Sequence, residues 1–132
     1  MTTQGLLIPQ SLTQPVRLVN LGTDPTTAIH HKLGGWFSMA HHREGIFFCL
    51  DDARVRGLET NLRFAHWYRT DSLDAERGRH YDGQVLHGDL IVTGGFRHEG
   101  TDDELLQSVS RELVERFQEL DGYYYRGVGV EL

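Results

Sequence analysis

Eight histidines, two aspartate pairs and one cysteine are the side chains of this 132-residue chain best equipped for chemistry. The histidines fall as His30-His31, His41-His42, His66, His80, His87 and His98. Adjacent imidazoles point about 100° apart on a helix and to opposite faces on a strand, so neither pair can chelate locally. His-x-His, His-x3-His and Cys-x2-Cys spacings are all absent. A metal site would have to be assembled from distant elements, for instance His42, His66 and His87, and no metal or other cofactor is expected. Cys49 lies in the apolar run Ile46 to Leu50, a setting for a buried thiol rather than a nucleophile. No Gly-x-Ser-x-Gly elbow is present, and Thr93-Gly94-Gly95 is too short to cradle a phosphate. Asp102-Asp103 fits the start of a helix, where acids meet the positive end of the dipole. Asp51-Asp52, at the end of a strand, is the more open acidic pair. With histidines, it would serve the alternative function, a metal-dependent hydrolase acting on nucleotides.

Binding chemistry is better represented than catalysis. Interfaces are enriched in aromatic residues and arginine, and Trp67-Tyr68-Arg69 stands directly before a polar stretch. Within that stretch Arg77, Arg79, His80 and Tyr81 could bracket a small anionic or nucleotide ligand. The formal charge of −6, from 13 basic and 19 acidic residues, works against a surface that tracks nucleic-acid phosphates. A DNA-associated regulator is therefore the third reading, and nucleic acid is not an expected partner.

The elements that must position these residues are short. Gly5 to Pro9 and Val16 to Asn20 read as two strands joined by a polar, proline-bearing loop. Asp24-Pro25 opens a helix through Lys32, closed by Gly34-Gly35. Strands follow over Trp36–His42 and Ile46–Leu50, then a second helix over Asn61–Arg69 and a loop from Thr70 to Gly83. Val85–His87 and Leu90–Thr93 add one or two strands. Thr101-Asp102-Asp103-Glu104 reads as a capping box for a long amphipathic helix, with Leu106, Val109, Leu113, Phe117 and Leu120 as its stripe. Gly122 would end that helix, and Tyr123 to Val130 has strand composition. The expectation is one α+β domain over residues 1–132: a mostly antiparallel sheet, two short helices and one long C-terminal helix. A terminal strand of that kind would pair with a sheet edge, which makes a homodimer an expectation. The longest apolar runs, of about five residues, fall far short of the ~20 needed to span a bilayer. With no secretory signal and an unpaired cysteine, the expected setting is cytoplasmic, with no membrane partner.

Over about residues 5–96 the ordering of motifs resembles a family of small, functionally uncharacterised proteins common in phages of actinobacteria and other hosts. The residues that carry it are Gly34-Gly35-Trp36, Asp51-Asp52, Arg56-Gly57-Leu58, Asn61 with Ala65, and Gly88-Asp89. Leu50 and Glu59 depart from the family's usual Asn and Pro, and the segment 101–131 extends beyond it. The resemblance implies an origin and brings no known chemistry. Taken with the missing catalytic constellation, it implies a small phage accessory protein that binds a host protein or a small ligand in the host cytoplasm. Host takeover or defence evasion would be the setting. The residues assigned to binding are Asp51, Asp52, Asn61, Trp67, Tyr68, Arg69, Arg77, Arg79 and His80.

Overall fold

A computed structural model describes residues 2–70, 86–98 and 104–131. In chain order these form β1 (Gln4–Ile8), β2 (Arg17–Asn20), α1 (Pro25–Leu33), β3 (Phe37–His42), β4 (Gly45–Leu50), α2 (Leu62–Thr70), β5 (Leu90–Thr93), β6 (Phe96–His98), β7 (Glu104–Leu106) and α3 (Arg111–Glu131). Five strands make one antiparallel sheet in the order β2-β1-β5-β4-β3, and β6 and β7 pair as a separate hairpin. The protein is a small α+β domain.

Alternation along the strands divides the apolar side chains between two faces. Leu6, Ile8, Phe47, Cys49, Leu90 and Val92 pack with Phe64, Trp67 and Tyr68 of α2 and with Leu113, Phe117 and Leu120 of α3. Ile46, Phe48 and Ile91 pack on the other side with Ile29 and Leu33 of α1 and Leu106 of the hairpin. The sheet is thus a middle layer, buried on both sides.

Helix α1 begins and ends as its sequence dictates. The Asp24 carboxylate accepts from the Thr27 amide at 3.5 Å and the Thr27 hydroxyl at 2.6 Å, bonds that hold its pKa below the usual carboxylate value. Gly34 closes the helix at φ 82°, in the left-handed region where a Cβ is unwelcome.

The C-terminal segment departs from the expected pattern. The long helix starts at Arg111, not Thr101. Ser110 is the residue that caps it, its hydroxyl accepting from the Leu113 amide at 3.2 Å. Leu106, expected on the helical stripe, instead pairs with Phe96 in the hairpin and is buried against the second core. Leu113, Phe117 and Leu120 do form a helical stripe, and all three are buried. Gly122 is not a stop: its backbone is not left-handed and α3 continues through it to Glu131. The strand expected over Tyr123 to Val130 is therefore helix, which removes the terminal strand from the case for a homodimer. His87 makes a single bridge to Thr60, whereas Val85, Asp102, Asp103 and the loop beyond Thr70 lie outside the described residues.

Candidate binding site

The two best-marked parts of the sequence motif separate in the fold into a buried knot and an exposed corner. The knot is built on Asn61, which is fully buried ahead of α2. Its side-chain amide donates to the carbonyls of Ile8 and Gly88, each at 2.9 Å, and its side-chain oxygen accepts from the Phe64 amide at 3.1 Å. One residue thereby caps a helix and ties two sheet connections together. Gly88 takes φ 77° at the turn, and Asp89 accepts from the Gln10 amide at 2.8 Å. Every polar atom of the Asn61 side chain serves the fold, so Asn61 leaves the set of binding candidates.

The corner is built where α1 runs into β3. His30, His31 and Lys32 occupy the last turn of α1, and the His30 carbonyl accepts from both Gly34 and Gly35 amides. Gly35 sits in a close corner, where a Cβ would lie 3.1 Å from the Leu50 side chain and 3.4 Å from the Arg56 guanidinium. Trp36 follows with 76% of its surface exposed. Its ring leans on the His30 imidazole with centroids 4.5 Å apart, and its carbonyl accepts from the Asp51 amide at 2.9 Å. The residue is thus held by its carbonyl and by the His30 ring while most of the indole stays in water.

Asp51 and Asp52 sit on the same corner. Asp51 accepts from the Ser38 hydroxyl, and Asp52 pairs with Arg56 at 2.8 Å across one turn of the 51–57 connection. Ala53 anchors that connection in the interior and leaves Val55 91% exposed at its tip. Gly57 completes it at φ 73°. Nearby, burial and the Asp51 carboxylate push the Cys49 thiol up, which keeps it protonated and unreactive at neutral pH.

The other candidates are dispersed. Trp67, 1% exposed, packs its ring 5.0 Å from Phe47 and 5.8 Å from Phe117. Tyr68 is buried beside Phe64 on the same face. Both are core residues, as their place on the apolar face of an amphipathic helix requires, and neither is available as a surface anchor. Arg69 is exposed at the end of α2; Arg77, Arg79, His80 and Tyr81 lie outside the described residues. His42 is surrounded by the rings of Phe47, Phe64, Trp67 and Tyr68, all with centroids within 5.9 Å. His87 uses Nδ1 on the Leu58 carbonyl at 3.0 Å. Among the described residues no three His, Cys, Asp or Glu side chains converge on a point that could hold a metal ion.

Two features escaped the sequence reading. Arg63 is fully buried, donating to the carbonyls of Pro9 at 2.7 Å, Ser11 at 3.1 Å and Gln14 at 2.5 Å. Its Nε lies 2.6 Å from the Asp121 carboxylate, whose other oxygen accepts from the Val16 amide at 2.7 Å. The second is Trp36 itself, whose position between a helix-ending glycine pair and an edge strand was the available signal.

No family model and no curated protein matches the chain. Among solved structures it is similar to the small RNA methyltransferase HEN1, with a TM-score of 0.56 and 17% identity. The match covers 89% of this chain and 16% of that one, and at this identity the likeness concerns the fold alone.

Proposed function

We propose that the protein acts by binding a partner protein through the Trp36 corner. The observation that supports this is the 76% exposure of a tryptophan that the backbone holds in place. Exposing an indole forgoes about 2 kcal/mol of burial, and tryptophan is among the residues most enriched at interface hot spots. Held between His30 and the 51–57 connection, it projects outward, a shape suited to entering a partner's pocket. The two segments that flank Trp36 carry further exposed groups: Lys32 in the last turn of α1, and Asp51, Arg56 and the 91% exposed Val55 in the 51–57 connection, with both signs of charge. The motif ordering that resembles phage proteins supports a phage accessory role, with a host protein in the host cytoplasm as the partner. None of the helices in the described residues is long and apolar enough to cross a membrane.

A Trp36→Ala variant tests this directly. Pull-down from host lysate followed by calorimetry with the captured protein should show a loss of about 2 kcal/mol or more in binding, roughly thirtyfold in affinity. Stability should change by less than about 0.5 kcal/mol, because the ring contributes little to the core. Unchanged capture by the variant would sink the assignment of this surface.

A further inference from the structure

We infer that the outer edge of β3 is a self-pairing surface that joins two copies of this chain about a two-fold axis through Met39. Strand β3 ends the sheet order, and among the described residues no strand lies beyond it. The Asp51 amide bonds to the Trp36 carbonyl, and the register then pairs Phe37 with Leu50, Ser38 with Cys49, and so on to His42 with Gly45. In an antiparallel ladder the residues alternate between facing the neighbour and facing away. Ser38, Ala40 and His42 thus turn their amides and carbonyls toward β4, while those of Phe37, Met39 and His41 point out of the sheet.

That outward set is palindromic. A second copy laid antiparallel with Met39 opposite Met39 places Phe37 opposite His41 twice, so all three outward residues pair at once. The side chains agree with the register. Phe37, Met39 and His41 share one face, so a thioether meets a thioether and an aromatic ring meets an imidazole. Ser38 and Ala40, small residues, meet on the other face. No Lys, Arg, Asp or Glu lies within Phe37–His42, so no like charges are set against each other. At the ends, Arg43 of each copy approaches the Trp36 end of the other, where the exposed Asp51 carboxylate sits. Asp52 is already neutralised by Arg56.

Natural edge strands are usually blunted by charge, proline, a bulge or shortness. The opposite edge, β2, is four residues long and begins with Arg17. Strand β3 has six residues, none of these protections, and Met39 45% exposed at its centre. Pairing through one six-residue edge makes a small interface, at the weak end of specific association, and leaves Trp36 outside it. The dimer is accordingly concentration-dependent, and it carries its two Trp36 side chains about 20 Å apart along the shared edge.

Sedimentation velocity on the full chain from about 5 to 500 µM provides the test, with a dimer of Kd near tens of micromolar expected. Met39→Lys sets two ammonium groups face to face at the axis and should raise that Kd at least about tenfold. The variant's thermal midpoint should be unchanged, because the side chain is half exposed. Amide exchange gives a second readout: Phe37, Met39 and His41 should gain protection with concentration, while Ser38, Ala40 and His42 are protected throughout. A monomer across the whole range, a dimer indifferent to M39K, or fast exchange at the three outward amides in the dimer would each overturn the inference.

Discussion

Arg63 and Asp121 are 58 positions apart, and their contact at 2.6 Å is buried between α2 and α3. A charged pair taken out of water contributes little over an apolar pair, but a lone partner left behind is costly. Here the pair also organises the turn between β1 and β2, since Arg63 binds three of its carbonyls and Asp121 its Val16 amide. Asp121→Ala should therefore cost about 3–5 kcal/mol in urea unfolding. Combining it with Arg63→Met should fall short of the sum of the two single losses by about 1–3 kcal/mol. Strict additivity would mean the two residues act on separate parts of the fold. Neither residue had a local signature. Arginine on an amphipathic helix and aspartate before a glycine both read as surface residues, and only the tertiary fold brings them together. The two tryptophans show how far the sequence goes: Trp67, assigned to binding for its place before a polar stretch, is core, as its helical spacing with Phe64 and Tyr68 allows, whereas the exposed tryptophan is Trp36, after the glycine pair that ends α1.

The elements most legible in the chain are those whose ends are written locally. Helix α1 has an aspartate cap, a proline in its first turn and a left-handed glycine, and it forms where those signals stand. The segment after Gly100 carries equally strong signals, and they lose. Leu106 gains more by closing a hairpin over the second core than by extending a helix, so the capping box at Thr101 does not define the helix start. Gly122 is the sharpest case. Within α3 it has no left-handed torsion, and a Cβ added there meets nothing within 4 Å. Gly122→Ala should then stabilise the protein by about 0.5–1 kcal/mol, read as a raised urea midpoint at constant m-value. Were the helix to end there on a left-handed glycine, the same change would destabilise instead. Gly45 offers the contrast, because a Cβ on it would overlap the Thr93 carbonyl of β5.

At the scale of the whole molecule, residues 5–96 do not make a self-sufficient core. Residues 5–96 supply all five strands of the sheet and the helices α1 and α2. They leave the face bearing Phe47, Phe64 and Trp67 short of its cover, because Phe117 and Leu113 of α3 complete that cluster. They also leave Arg63 without Asp121. The C-terminal extension, dispensable by motif, is thus integral by packing. A chain truncated after Ser110 should lose the burial of Leu113, Phe117 and Leu120 together, roughly 6–9 kcal/mol of apolar burial before the orphaned guanidinium is counted. That is comparable to the whole stability of many single domains, about 5–15 kcal/mol. The truncated chain should bind anilinonaphthalene sulfonate, lose its near-ultraviolet circular dichroism and unfold without a sharp transition while keeping much of its far-ultraviolet signal. The full chain should unfold as one cooperative unit. If the truncated chain instead melted cooperatively with an unaltered near-ultraviolet spectrum, α3 would be an appendage, and the Arg63–Asp121 pair would have to be exchangeable for water.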